Sequence, residues 1–245
     1  MRAETAPEEY SDKAKRNAKG RLRRGYSAER KRVLTEESTV NKAGIVKIEG
    51  NMDREKLKRI YKKMEERNLP QMIITDPPAI FYLTGKWIHP GERMLALYIS
   101  TKGKERFFVN RLFPIEEDLG VEIQYFDDTE DSVELLSKVV DKESPLGVDK
   151  TWSARFLLRL QELKAASSYV NGSVIVDKVR QIKDKDEQEK LIKASLQNDQ
   201  VMSELIPYVV KGHTEKELNA IARELYKKHG ASDVSFDPIT AYGRG

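Results

Sequence analysis

The sequence predicts an α/β domain in which helices cover a sheet. The main observation is that short apolar or alternating runs interleave with stretches of helical spacing over about 125 residues from Met52 onward. A second is that Pro and Gly punctuate the boundaries, at Asn68-Leu69-Pro70, Thr84-Gly85 and Gly103. A third is a modest apolar fraction of 39% beside 34% charged residues. That balance fits a globular protein carrying a polar extension.

The elements follow in order. Leu57, Ile60, Tyr61 and Met64 share one helical face, and Asn68-Leu69-Pro70 ends that helix. Gln71 to Thr75 reads as a short apolar strand, and Pro77 to Leu83 as a tight connection or one short helix. Met94 to Ser100 and Arg106 to Asn110 read as strands joined at Gly103. Val121, Ile123 and Tyr125 alternate with polar residues, as a half-buried strand requires. Helices are expected near Val133 to Val140 and Ala154 to Leu163, flanking a strand at Leu146 to Asp149. Tyr169 to Val176 reads as a last strand-like run.

The chain then changes character. Val179 to Glu187 is charged and short of bulky residues, like a linker turning into a helix capped by Asp184 and Glu187. The following helix carries Leu191, Ala194, Val201, Met202, Leu205 and Ile206 on one stripe and breaks at Gly212. Thr214 and Glu217 predict a capping box, and Leu218, Ile221, Ala222, Leu225 and Tyr226 the apolar face behind it. Lys227, Lys228 and His229 suit the negative end of that helix, and Gly230 closes it. Two amphipathic helices must lay their faces on something. Past Gly230 the sequence offers one strand of about ten residues, so a covering sheet is expected to be missing.

Charge is unevenly placed. Residues 1–51 hold 13 Lys/Arg and 8 Asp/Glu, so the whole positive excess of the chain, net +4, lies there. Clusters at Arg21–Arg24 and Arg30–Arg32 suit a nucleic-acid arm, but only Tyr10 and Tyr26 could stack on bases, so nucleic acid is not the expected partner. The simpler expectation is a basic, disordered extension. The folding pattern begins within a residue or two of Met52, which makes Met52 a candidate start. Residues 1–51 would then come from a start set too far upstream or from an added segment. No apolar run approaches the roughly 20 residues of a membrane span. No cysteine is present, which excludes disulfides, thiolate metal sites and a cysteine nucleophile and is compatible with the cytoplasm, the compartment expected.

Four segments in order, Ile80–Gly85, Arg180–Glu187, Gly212–Leu218 and Gly230–Ile239, resemble the proline-peptidase branch of the pita-bread metallopeptidases (aminopeptidase P, Xaa-Pro dipeptidase, creatinase). Ile80-Phe81-Tyr82-Leu83-Thr84-Gly85 resembles the Tyr-Leu-Thr-Gly signature of the creatinase-type N-terminal domain. Arg180 to Glu187 resembles the Arg-x-Ile-Lys-(Asp)-x-x-Glu junction into the catalytic domain. Gly212-His213-Thr214-Glu215-Lys216-Glu217-Leu218 is similar to Gly-x-Thr-Glu-x-Glu-Leu, and Gly230 to Ile239 is similar to Gly-Ala-x-x-x-Ser-Phe-x-x-Ile.

The resemblance implies a ribonuclease-H-like α/β domain over 52–178 and the truncated start of an α+β pita-bread domain over 179–245, behind the extension at 1–51. It implies hydrolysis of the bond preceding proline. In the complete family member two divalent ions, manganese, cobalt or zinc, are held by two aspartates, a histidine and two glutamates, and a bridging hydroxide attacks the carbonyl. Those ligands come after the last matched strand, so no metal, cofactor or catalytic residue is assigned here. The chain is expected to be a truncated, inactive member of that family. The peptide partner, with proline second, belongs to the complete protein, and homo-oligomers are possible.

Of the three histidines, His213 and His229 are expected to be solvated helix-terminus residues. His89 lies in the loop Trp87-Ile88-His89-Pro90-Gly91-Glu92-Arg93, and Trp87, His89 and Arg93 are the substrate-side candidates that the resemblance allows. A purely structural loop pinned by Trp87 and Pro90 is the simpler reading. No His-Glu-x-x-His, Walker loop, Gly-x-Ser-x-Gly or Gly-x-Gly-x-x-Gly motif occurs. The alternatives to a peptidase fragment are a non-catalytic remnant acting as an oligomerisation or binding module, and a nucleic-acid binder working through residues 1–51.

Overall fold

Buried side chains switch faces at every step along the central strands, and this places the sheet between two helical layers. The structure, a computed structural model, describes residues 52–209 and 211–241. Six strands order as β4–β3–β2–β1–β5–β6: β1 Gln71–Ile74, β2 Ala96–Ser100, β3 Glu105–Asn110, β4 Glu122–Phe126, β5 Pro145–Val148 and β6 Ser168–Asn171. β1–β2 and β2–β3 are antiparallel, while β3–β4, β1–β5 and β5–β6 are parallel. Met72, Ile74, Leu97, Ile99, Phe107 and Val109 enter one core; Ile73, Ala96, Tyr98, Phe108 and Leu146 enter the other. Such two-residue alternation is what a pleated sheet covered on both faces demands.

The first face is covered by α1 Arg54–Glu65, α2 Pro77–Thr84 and α5 Ser173–Gln181; the second by α3 Ser132–Ser137 and α4 Ala154–Glu162. α1 starts on Asp53, whose carboxylate accepts from the Lys56 N–H at 2.9 Å, and buries Leu57, Ile60 and Met64. Each such burial contributes about 1.5–3 kcal/mol. α2 ends where the Leu-Thr-Gly run ends. Leu83 is buried, and the Thr84 hydroxyl donates to Ile80 O at 2.8 Å and accepts from Lys86 N–H at 3.1 Å. Gly85 takes φ +67°, the left-handed conformation that stops the helix.

The strand expected at Tyr169 to Val176 is half strand and half helix. β6 stops at Asn171, and Ser173 opens α5. The β-branched run Val174-Ile175-Val176 looks like a strand, but the helical cost of β-branching is only a few tenths of a kcal/mol per residue. Burying Ile175, Val176 and Val179 in the first core outweighs it. The linker expected from Val179 therefore shrinks to the residues between Gln181 and Lys185.

Asp184 and Glu187 then exchange two 2.9 Å bonds, the Glu187 N–H to Asp184 Oδ1 and the Asp184 N–H to Glu187 Oε2, and open α6 Lys185–Val209. α7 Glu215–Lys228 begins on the expected capping box at Thr214 and Glu217. α6 and α7 cover each other: Val201, Leu205, Leu218, Ala222 and Leu225 form a small core of their own. The stripe expected on α6 is only partly used, for Leu191, Met202 and Ile206 remain exposed. The strand expected after Gly230 is absent among the described residues. Residues 231–241 form only bends and irregular backbone, and Phe236 and Ile239 are 72% and 88% exposed. A strand needs a neighbour to complete its hydrogen bonds, and no partner strand pairs with this segment.

Candidate functional site

β1 leaves the sheet toward the first face through α2, whereas β5, its parallel neighbour, leaves toward the second through α4. Strands that diverge in this way open a crevice at their carboxyl ends, the usual ligand position in open α/β sheets. A cleft of about 590 Å³ lies there. Its walls are Thr75 and Asp76 from the end of β1, the loop from His89 to Arg93, and Trp152, Arg155 and Phe156 from the start of α4.

Asp149 fixes the floor. Its Oδ2 accepts the N–H groups of Thr75 at 2.7 Å and Asp76 at 2.9 Å, and its Oδ1 accepts the Ser173 hydroxyl. The Ser173 oxygen in turn accepts the Lys150 N–H at 2.7 Å. One carboxylate thus ties the ends of β1 and β5 to the start of α5. The neighbouring Asp76 carboxyl is pushed up from its ordinary range, first by burial and then by the charge of Asp149, with Arg180 at 3.6 Å opposing.

The loop from Trp87 to Arg93 is held at both ends. Ile88 is buried beneath it. Arg93 grips Asp128 with two parallel bonds, Nε to Oδ1 at 2.8 Å and Nη2 to Oδ2 at 2.7 Å, and the Asn110 amide adds a third at 2.8 Å. The guanidinium beside it holds the Asp128 carboxyl below its usual range. Arg155 crosses the cleft to donate to the carbonyl of Glu92, and lies over the Phe156 ring at 4.7 Å.

Of the three residues expected on the substrate side, His89 and Arg93 line this cleft, and Trp87 lies outside its lining. Trp87 stands edge-on to Phe81 at 5.9 Å and to His89 at 6.3 Å. Nothing in the sequence marks Trp152, Arg155 and Phe156, which lie on an ordinary-looking helix start. The signal that the sequence carries is an aspartate within two residues of the end of each of two strands, Thr75-Asp76 and Val148-Asp149.

The other histidines sit at helix ends. His213 Nδ1 faces Glu217 at 3.8 Å. His229 is not solvated as expected, because its ring bonds Glu204 at 2.9 Å and its side chain is 18% exposed. The second bond Glu204 makes, to Lys228 at 2.6 Å, lies on the same carboxylate. Among the described residues no three of His, Asp and Glu come together to hold a metal ion. Each of these two helix-end histidines meets one carboxylate at most, so these residues do not fit a paired-metal centre. The basic clusters Arg21–Arg24 and Arg30–Arg32, and Tyr242–Gly245, lie outside the described residues. Among the described residues no helix is long and apolar enough to cross a membrane.

Residues 56–182, just over half of the sequence, match the Creatinase/Prolidase N-terminal domain. The chain belongs to the creatinase/prolidase family through this N-terminal domain. A similar curated relative is an uncharacterized peptidase of Staphylococcus aureus (strain bovine RF122 / ET3-1), 27% identical over 196 residues that cover 77% of this chain and 54% of the relative. Among solved structures, a dipeptidase from Pyrococcus horikoshii OT3 superposes with a TM-score of 0.67 at 24% identity, covering 75% of this chain and 52% of its own. A recombinant prolidase from Thermococcus sibiricus gives 0.65 at 25%, covering 75% and 53%. The mixed six-stranded α/β fold is theirs. This chain spans about half the length of the relatives it matches.

Proposed function

We propose that this chain is the N-terminal portion of an Xaa-Pro aminopeptidase- or dipeptidase-like metallopeptidase, acting on peptides with proline second. The supporting observation is the unbroken course from the matched domain into a capped helix that follows it directly. Residues 56–182 carry the family match, α5 runs through the junction, and the Asp184–Glu187 box starts α6 within a few residues. In this reading 1–51 is a basic extension, 52–178 the creatinase-like domain and 179–245 the first part of the pita-bread domain. Paired manganese, cobalt or zinc ions belong to residues beyond this span, and residues 1–245 alone hydrolyse nothing. The loop with Trp87, His89 and Arg93 serves as a substrate-side wall, with Arg93 holding its shape through Asp128 rather than meeting the peptide itself.

Reading the coding sequence past the codon for Gly245 tests this directly. A continuing frame that encodes two aspartates, a histidine and two glutamates, and whose product cleaves alanyl-proline only with a divalent ion, is expected. A stop codon at that point, or a continued product inert toward every Xaa-Pro peptide, would contradict the proposal.

A further inference from the structure

We propose that the cleft at the carboxyl ends of β1 and β5 binds a short zwitterionic peptide, its carboxylate on Arg155 and its amino group on Glu92. The argument begins with charge. Four side chains of fixed charge line the cleft: Asp76, Glu92, Arg93 and Arg155. Two already have partners, Arg93 bonded to Asp128 and Asp76 facing Arg180. Among the described residues Glu92 and Arg155 make no ion pair within 4.0 Å, although they lie in one cleft and Glu92 also adds its charge to the field at Arg93. Arg155 spends one N–H on the Glu92 carbonyl, which leaves the rest of its fork for an incoming carboxylate.

A lone cation would suit any anion; one cation with one anion suits a molecule bearing both ends. The body between the two charges meets an apolar surface, since Trp152 and Phe156 pack with ring centres 5.5 Å apart and tilted by 34°, and Pro77 and Pro90 also line the cleft. The Trp152 indole N–H is itself buried and makes no hydrogen bond to the protein, so its signal reports on changes around this wall. A volume of about 590 Å³ falls in the range of small-molecule pockets and admits two or three residues but not a folded partner. The choice of a proline-terminated peptide rests on the function proposed above. The charge pattern does not.

The chain of 245 residues holds two tryptophans, Trp87 and Trp152, so its ¹⁵N spectrum has two indole N–H signals, assignable with Trp87→Phe. Titrating alanyl-proline into the intact chain is expected to shift the Trp152 signal saturably, with Kd on the order of millimolar for so small a ligand. N-acetyl-alanyl-proline and alanyl-proline amide each lose one charge and are expected to bind about tenfold more weakly. Arg155→Gln should erase the preference for a free carboxylate, and Glu92→Gln the preference for a free amine. Both residues are exposed, so circular dichroism should show these variants folded. A shift confined to Trp87, no saturation, or unchanged binding in both variants would overturn the site. A null titration alongside Xaa-Pro hydrolysis by the extended protein would sink this inference and leave the proposed function intact.

Discussion

Asp149 and Gly147 show how little room the sheet leaves at the site. Asp149 accepts two backbone N–H groups and one hydroxyl, and removing a charged acceptor from partly buried donors costs the desolvation of each. Asp149→Ala is therefore expected to lower unfolding free energy by about 2–3 kcal/mol in urea titrations, and Asp149→Asn by less. Equal stability of Asp149→Ala and the parent would remove Asp149 from its structural role. Gly147 is required for a different reason. A Cβ there would meet Leu69 Cδ2 and Met72 Cβ at 2.8 Å, and Met72 Cβ cannot move without its backbone. Gly147→Ala should cost about 1–3 kcal/mol by overpacking, seen as a drop in Tm without loss of cooperativity. Gly147 does not stand out in the sequence, because a strand glycine is common, and Asp149 is marked only by its place at the end of a strand. What they touch is decided by strands distant in the chain.

At the scale of elements, the junction into α6 is clasped by one lysine. Lys56 of α1, its side chain 14% exposed, lies 3.3 Å from Glu187, 3.6 Å from Asp184 and 3.4 Å from Asp53, with its ammonium 4.3 Å over the Tyr82 ring. Burial pulls the Lys56 ammonium down, but Glu187 and Asp53 together more than offset this and hold it above its ordinary 10.5. A raised lysine contributes stability that is complete below 10.5 and is lost as pH rises through the higher folded value. Asp184 is lowered, first by the Glu187 N–H, so its contribution is present above 3.8 and fades as pH falls below it. Hydrogen exchange of residues 182–190 should therefore be protected across neutral pH. Lys56→Met should expose that segment at a cost of about 1 kcal/mol, while β1 to β3 stay protected. Unchanged exchange in the variant would show the clasp to be idle.

Much of this level was legible in the sequence. The α1 face, the strands flanking Gly103, both capping boxes and the closing Gly230 follow from local period and cap chemistry. α5 was not legible, because its β-branched run carries strand propensity and only the groove beside α1 makes it a helix. The cleft was not legible either: the loop at His89 could be picked out, but its opposite wall at Trp152 to Phe156 comes from a crossover more than 60 residues away.

For the whole molecule, two cores sandwich a complete sheet, while the α6–α7 pair buries only its inner seam. Leu191, Ile192, Met202, Ile206, Phe236 and Ile239 are left exposed, an apolar surface of the kind that drives association. The purified chain is expected to self-associate or dissolve poorly, and Leu191→Glu with Ile206→Glu should shift light scattering toward the 28.2 kDa monomer. A parent that is already a monodisperse, cooperatively melting monomer would contradict this.

On the function proposed above, these residues build the substrate-side domain of a proline-directed peptidase, and its metal centre lies outside them. The most direct test is manganese binding by the purified chain 1–245, measured calorimetrically beside an alanyl-proline cleavage assay. No stoichiometric high-affinity ions and no cleavage are expected; two manganese ions bound per chain with release of alanine would overturn this reading.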